Sequence, residues 1–508
     1  MCGILFTTNS EIAEDKFTSA LRMMKHRGPD SEGLENVSGL WLGHVRLKIQ
    51  DLDDRSNQPY ISTDGRYIII FNGEIYNYEE LARAHGISQK TTSDTEVLIE
   101  LYSKYGKDML QFLNGMFAFV IYDKIDRSVF VARDRLGIKP LYVSSHKGHM
   151  YLASEIAPLL ALTDDRRLDD VGVRQYRKLR TFFRGHTLYS SVKMFPAGHF
   201  MMNGKISKYW ELPNGDKNPP SDEELRDLIE TSVKYRCISD VAVGSYLSGG
   251  LDSTIVAALS KKPDTWTVGF KDFNEFKWAK KASNKFGSTH HEIVIDKDEY
   301  LSTAQMMIRQ RMEPLSVPNE VLLYSMTKQV QIKNSVVLSG EGADELFFGY
   351  DRIYRWAASN KWDIHEFSRL YSYGSNDDIE IVEYALEPYL KCANALETVS
   401  SFFQISHLHG LLRRLDNSTM MCSVEARVPF VDHRLIERLS SVGINYKMQD
   451  GVVKAPLKRL YAEIIPKEII ERKKIGFPVP VDIIFENNGS AGNMDSWLEF
   501  NLNEVMIY

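Results

Sequence analysis

The stretch from Ser245 to Thr254, Ser-Tyr-Leu-Ser-Gly-Gly-Leu-Asp-Ser-Thr, constrains the chain more than any other. The run Val241 to Leu247 is short and apolar, as a buried strand is, and from Asp252 to Lys261 the residues Ile255, Val256 and Leu259 share one helical face. A strand that feeds a helix through two glycines and two serines belongs at the mouth of a parallel sheet. The glycines let consecutive N–H groups point at one spot, and the helix adds the positive end of its dipole, which together favour a phosphate. A plain turn with Ser and Asp capping the helix uses the same residues. The loop alone leaves both readings open. It lacks the lysine of the nucleotide loop with four residues between its glycines, which excludes that loop.

At 508 residues the chain exceeds one ordinary core, so two or three domains are expected. A formal charge of -6 gives no electrostatic case for nucleic acid or for an anionic membrane surface. No apolar run approaches the roughly 20 residues of a membrane helix. Cys2-Gly3-Ile4-Leu5-Phe6 is followed at once by polar residues rather than by the apolar core of a signal peptide, and a cytoplasmic location is expected. The cysteines Cys2, Cys237, Cys392 and Cys422 have no paired spacing that suggests zinc or a redox dithiol. Cys2 stands apart by position. Removal of Met1 would place its thiol beside its own α-amine, whose ordinary pKa near 8 suits a general base.

From Gly3 to about Trp210 short strands dominate: Gly3 to Thr8, Leu40 to Leu47, Tyr67 to Phe71, Met116 to Tyr122, Ser128 to Ala132 and Met150 to Ala153. Helical patterns intervene at Glu11 to Lys25, Tyr78 to His85 and Asp94 to Tyr105. This predicts an α+β layered domain with antiparallel sheets at its centre. Asn214 to Pro220 is the clearest linker, and Ser221 with Glu224 makes a capping box that opens a helix to about Arg236. Beyond it strand and helix alternate as far as Ser335 to Leu338, which predicts an α/β domain with a parallel sheet and ligands at the strands' carboxyl ends. After Phe348 the chain reads as mostly helical.

Four pieces of the first half can converge with Cys2 as nucleophile. Arg46, in Gly43-His44-Val45-Arg46-Leu47, offers a planar fork for a carboxylate, with a surface ion pair as the alternative. Asn72 and the Gly73 amide can form an oxyanion hole, or Asn72-Gly73 a hairpin turn. Asp94, in Ser93-Asp94-Thr95-Glu96, can accept from a substrate ammonium, or simply profit from the helix dipole. Together with an N-terminal Cys they describe a pocket for an amino acid with one amide to cleave.

Met1-Cys2-Gly3-Ile4, His26-Arg27-Gly28-Pro29-Asp30, Gly43 to Leu47, Phe71 to Asn77 and Ser93 to Glu96 resemble the N-terminal-nucleophile glutamine amidotransferases, whose domain is an αββα sandwich. Ser248 to Ser253 is similar to the pyrophosphate loop of ATP pyrophosphatases. Ser339-Gly340-Glu341-Gly342-Ala343-Asp344-Glu345 and Ser423 to Phe430 resemble the glutamine-hydrolysing asparagine synthetases, and the likeness runs in order from residue 2 to about Pro480.

The resemblance implies a glutaminase domain over residues 2–210 and an ATP-dependent synthetase domain over 211–508. Cys2 would attack the amide of glutamine. Arg46 would bind the α-carboxylate, Asp94 with Glu74 the α-amine, Asn72 and Gly73 the oxyanion, and the backbone through Leu47, Lys48, Ile49 and Gln50 would line the pocket. ATP would lie on Ser248, Gly249, Gly250, Asp252 and Ser253, with Leu247 and Val268 beside the adenine and Ser339, Gly340, Lys454 and Lys474 near the nucleotide. Asp252 and Asp344 would bind Mg²⁺, and Glu341 would assist the adenylate step and the attack of ammonia. Implied partners are small molecules, glutamine, aspartate and ATP, with a homodimer by analogy only. Three departures stand out. Val45 replaces a basic residue of the family, and Gln310 to Val321 diverges where the family shapes its acceptor pocket; the tail after Pro480 is also short.

Overall fold

The computed structural model describes residues 2–213, 218–392, 394–472, 479–485 and 493–507. Two six-stranded antiparallel sheets stack in the first domain. One runs in the order Val192–Met194, Tyr142–His146, His149–Ala153, Gly3–Thr7, Leu40–Arg46, Ser31–Val37. The other runs Lys205–Lys208, His199–Met202, Ser128–Arg133, Gly115–Asp123, Tyr67–Ile75, Tyr60–Ile61. Alternation sorts each strand between two layers. Ile4, Phe6, Leu42, Ile68, Ile70, Val120 and Val131 face inward between the sheets. Ile69, Phe71, Phe117, Phe119 and Ile121 face the helices Tyr78–His85 and Asp94–Tyr105. Helices Glu14–Arg22 and Ile156–Thr163 pack on the other outer face, which completes the αββα order.

Several sequence expectations are corrected here. The predicted helix Glu11 to Lys25 spans only Glu14–Arg22, and the strand expected to stop at Phe71 continues to Ile75. Asn72 and Gly73 therefore lie inside a ladder, opposite Ala118 and Phe117, and are not a hairpin turn. Arg46 is buried rather than in a surface ion pair, and its partners are carbonyl and amide oxygens. Strands Ser31–Val37, Tyr142–His146, Val192–Met194 and Lys205–Lys208 escape a reading based on apolar runs, because their outward residues are polar and each is held by its neighbour's ladder.

Of the expected linker, residues 214–217 lie outside the described residues. Ser221 caps the next helix, Asp222–Arg236, and its side chain accepts from the Glu224 amide at 3.1 Å. The reciprocal half of the capping box is missing, because the Glu224 carboxylate is taken by Arg438. The second domain is built on a parallel sheet in the order Thr289–Ile295, Asp264–Phe270, Val243–Tyr246, Val336–Leu338, Glu425–Arg427. Glu425–Arg427 is a strand inside a region read as helical; at three residues it is too short to show a period of two. Strand order reverses at Val243–Tyr246, whose neighbours are Asp264–Phe270 on one side and Val336–Leu338 on the other. The crevice beyond such a reversal is where ligands bind in parallel sheets, and the Ser248 loop sits at this strand's carboxyl end.

Candidate active sites

The first site forms where Gly3–Thr7, Leu40–Arg46 and Tyr67–Ile75 end together. The Cys2 amide donates to Asn72 Oδ1 at 3.2 Å, and Arg27 Nε donates to the Cys2 carbonyl at 3.1 Å. Burial pushes the Cys2 thiol up, opposed by the Leu47 amide and by the charge of Arg46. Asn72 Nδ2 is buried without a hydrogen-bond partner, a donor beside the nucleophile with nothing to donate to. Gly73 can only be glycine: a Cβ there would lie 2.1 Å from the Met116 carbonyl oxygen.

Arg46 uses its fork on the adjoining loop. Nη1 donates to the Asp53 carbonyl at 2.9 Å and to Asn57 Oδ1 at 2.8 Å, and Nη2 donates to the carbonyls of Gln50 at 3.2 Å and Asp51 at 2.5 Å. Its charge thus fixes residues 50–57 as one wall. Lys48 points away, toward Asp54 at 2.7 Å, while its amide donates to Asp30 Oδ2 at 2.8 Å. Gln50 Nε2 donates to Glu74 Oε2 across the space between. The cavity left beside Cys2, lined also by Leu47, Ile49, Gly73, Glu74 and Asp94, holds only about 30 Å³. That is room for a water or two, and Gln50 and Glu74 meet across it.

Two carboxyls face this cavity in an unusual electrostatic state. Burial, with Glu425 nearby, raises Glu74 well above the ordinary carboxylate range against the pull of Arg427. Burial likewise raises Asp94 to about 6, although Asp94 Oδ2 accepts from the Ile75 amide at 2.8 Å. Ser93 caps the helix that Asp94 opens, accepting from the Thr95 amide at 3.2 Å. Two buried acids held partly protonated form a site that gains by taking in a cation.

The second site is the loop after Val243–Tyr246. Gly249 has φ +74, and a Cβ there would meet Trp278 Cβ at 2.5 Å, so the turn needs glycine. Ser248 Oγ and Ser253 Oγ lie 3.0 Å apart, and Thr254 Oγ1 donates to the Gly250 carbonyl at 2.6 Å, closing the loop over the start of helix Leu251–Ser260. Leu247 is buried, its amide donating to the Trp266 carbonyl at 2.8 Å, and Val268 is buried one strand over. Lys454 Nζ donates to Asp252 Oδ2 at 2.5 Å and pairs with Asp344 Oδ1 at 2.6 Å. Burial opposes this ammonium, yet the two carboxylates outweigh burial and raise it. Because both carboxylates converge on one atom, they stand close enough to share an Mg²⁺ with phosphate oxygens, which suits an ion that keeps one or two carboxylates and several oxygens of water or substrate.

Ser339 closes the far side, its amide donating to the Arg427 carbonyl at 2.9 Å. A Cβ on Gly340 would lie 2.8 Å from the Ser253 amide nitrogen, so Ser339-Gly340 and the serine loop are in contact. Glu341 accepts from Arg414 Nη2, and Arg414 Nη1 donates to Asn319 Oδ1 at 3.2 Å. Arg414 is absent from the sequence reading, since an arginine in a helix looks like solvated surface until its burial is seen. Arg472 donates to the Gly249 carbonyl at 3.0 Å. Lys474 lies outside the described residues.

Arg427 connects the two sites. Its Nε donates to Glu425 Oε1, its Nη2 stands 3.5 Å from Glu74 of the first site, and its carbonyl holds Ser339 of the second.

An N-terminal Cys in an αββα domain, joined to a parallel-sheet domain with a serine-glycine phosphate loop, defines a glutamine amidotransferase fused to a nucleotide-using synthetase. Two family models match the chain, "Glutamine amidotransferase domain" over residues 1–210 and "Asparagine synthase" over residues 224–499. Asparagine synthetase (glutamine-hydrolyzing) 1 of Bacillus subtilis is 32% identical, over 98% of this chain and 89% of its own. Asparagine synthetase B (glutamine-hydrolyzing) of Escherichia coli is 29% identical over 94% of this chain and 82% of its own. An Oryza sativa subsp. japonica relative, asparagine synthetase (glutamine-hydrolyzing) 2, is 29% identical over 98% and 78%. The chain belongs to the asparagine synthase family.

Proposed function

We infer that this chain is a glutamine-hydrolysing asparagine synthetase that uses aspartate, glutamine and ATP. The observation that carries the reading is the presence, in one chain of that family, of the Cys2–Asn72 pocket and of the Ser248–Ser253 loop facing Asp252, Asp344 and Lys454.

In the first reaction the Cys2 thiol, freed of Met1, gives its proton to its own α-amine and attacks the glutamine amide carbon. The oxyanion is met by Asn72 Nδ2 and the Gly73 amide. Collapse expels ammonia and leaves a thioester, which water cleaves to glutamate. The ammonium of the bound glutamine takes the place of protons on Glu74 and Asp94, and Arg46 receives the carboxylate by yielding some of its loop carbonyls.

In the second reaction the β-carboxylate of aspartate attacks the α-phosphorus of ATP, forming an acyl–phosphate bond and releasing pyrophosphate into the Ser248–Ser253 loop. Asp252 and Asp344 would hold Mg²⁺, which supplies charge neutralisation for the departing pyrophosphate. Lys454 adds a second fixed cation. Glu341, oriented by Arg414, takes a proton from the ammonium formed as ammonia attacks the β-aspartyl carbon, and AMP leaves. Leu247 and Val268 bracket the adenine.

The acceptor rests on the family alone, because Gln310 to Val321 folds around its own charges: Arg311 is bound by Glu313 and Glu320. The test is incubation with glutamine, MgATP and a panel of carboxylates. AMP and pyrophosphate appearing with aspartate only supports the reading; release with another carboxylate makes the chain an amidotransferase of different acceptor, and ADP as product contradicts the pyrophosphatase chemistry.

A further inference from the structure

Lys447, the last residue of helix Ile444–Lys447, has no solvent exposure, and its Nζ has no hydrogen-bond partner. A buried amine without a partner is costly, and its persistence calls for a reason. Among the described residues it faces an aromatic ring: Nζ lies 4.5 Å from the centroid of Phe348. The same ring stacks on Tyr354 at 4.1 Å with 16° between planes, inside an apolar cluster. Phe348 has φ +58, a strained conformation for a bulky residue. On either side of Phe348 the backbone meets the second site. The Phe347 carbonyl accepts from the Lys454 amide at 3.3 Å, and the Gly349 amide donates to the Asp344 carbonyl at 2.8 Å. There is no slack at this corner, since a Cβ on Gly349 would lie 1.7 Å from Asp344 Oδ1 and 2.4 Å from Lys454 Cε.

We propose that Lys447 is a positioning residue for nucleotide binding: its ammonium on Phe348 holds the Phe347-Phe348-Gly349 corner in the conformation that sets Asp344 and Lys454 against the phosphate loop. The inference rests on the reading of that loop as the MgATP site. Burial alone lowers the Lys447 amine, to about 7. The charges on neighbouring elements are engaged elsewhere: Asp351 with Arg355, Arg459 with Asp222, and Lys458 under the influence of Lys454 and Asp252. The cation is therefore present at pH 6 and largely lost by pH 8. Glu345, whose carbonyl accepts from the Tyr354 hydroxyl and whose carboxyl burial raises to about 8, titrates beside the same corner, so the Lys447 contribution is read as the difference between the parent and a Lys447 variant.

The experiment measures MgATP affinity, by titration calorimetry, and thermal stability for the full chain and for Lys447→Met and Phe348→Leu, with glutaminase activity as the control for the distant site. Lys447→Met is expected to melt no lower than the parent, because an unpartnered amine is exchanged for an apolar chain of similar length. It is expected to bind MgATP about thirtyfold more weakly at pH 6, the size of a desolvated cation–π contact, with glutaminase unchanged. Phe348→Leu, which keeps the amine, is expected to show the same weakening. Parent affinity should fall between pH 6 and pH 8, and the fall should be smaller in Lys447→Met, where only Glu345 still titrates beside the corner. Parent-like affinity in Lys447→Met at pH 6, or a pH profile shared by both, overturns the proposal. Should Lys447→Met fail to fold, the difference between Phe348→Leu and the parent decides alone. Absence of MgATP binding to the parent itself refutes the loop's assignment, and the proposal with it.

Discussion

Asp94 opens the helix Asp94–Tyr105 and also faces the cavity beside Cys2. Burial raises its pKa from 3.8 to about 6. A carboxyl that holds its proton more tightly when folded favours the folded state below pH 3.8, and this advantage disappears as pH rises through 6. The difference is on the order of 3 kcal/mol. Asp94→Asn should therefore flatten the fall in melting temperature between pH 4 and pH 7, and an unchanged slope in the variant would show that the proton sits elsewhere. On the proposed reading the charged form binds the glutamine ammonium. KM for glutamine should then fall as pH rises through 6 in the parent and stay high and flat in Asp94→Asn.

At the scale of the element, the loop between Val243–Tyr246 and Leu251–Ser260 depends on one backbone torsion. Gly249→Ala places a methyl 2.5 Å from Trp278 Cβ and 2.6 Å from the Ala279 amide nitrogen at φ +74. Strain of this kind costs on the order of 1–3 kcal/mol. The variant should lose the thermal shift given by MgATP while glutaminase activity persists, and a full shift would mean the phosphates lie elsewhere. This loop was legible in the sequence because its strand, glycines and helix are contiguous. Helices Tyr78–His85 and Asp94–Tyr105 were legible for the same reason, being bounded by local signals. Glu425–Arg427 was not, since a three-residue strand owes its existence to the Val336–Leu338 edge it pairs with. Arg414 and Lys447 were illegible for a related reason: each looks solvated in sequence, and only the tertiary fold encloses it, Lys447 completely and Arg414 with its side chain 11% exposed. Cys2, Arg46, Leu47, Ile49, Gln50, Gly73, Glu74 and Asp94 line one cavity while Lys48 turns to Asp54, and sequence could not show Arg46 spent on its own loop or Gln50 lying across to Glu74.

Across the whole molecule the two domains are joined by buried charge. Asp416, on helix Leu408–Met420 of the second domain, accepts from Arg27 Nη2 at 2.9 Å and Lys139 Nζ at 3.2 Å of the first. Removing one partner of such a cluster leaves uncompensated cations and costs about 3–5 kcal/mol. Asp416→Asn should lower the melting temperature, and on the proposed reading, in which ammonia made at Cys2 is used at Glu341, it should lower glutamine-dependent synthesis more than ammonium-dependent synthesis. Equal loss of both would assign Asp416 to stability only. Arg427 offers the second link, touching Glu74 with its side chain and Ser339 with its carbonyl. On this account the sites are two ends of one path.

That division of labour is tested most directly by Cys2→Ala assayed for asparagine with glutamine and, separately, with ammonium as nitrogen source, in the presence of aspartate and MgATP. The account predicts that glutamine-dependent synthesis is abolished while ammonium-dependent synthesis, with its AMP and pyrophosphate, continues near the parent rate. Loss of both activities in a folded variant, or survival of the glutamine-dependent one, would contradict it.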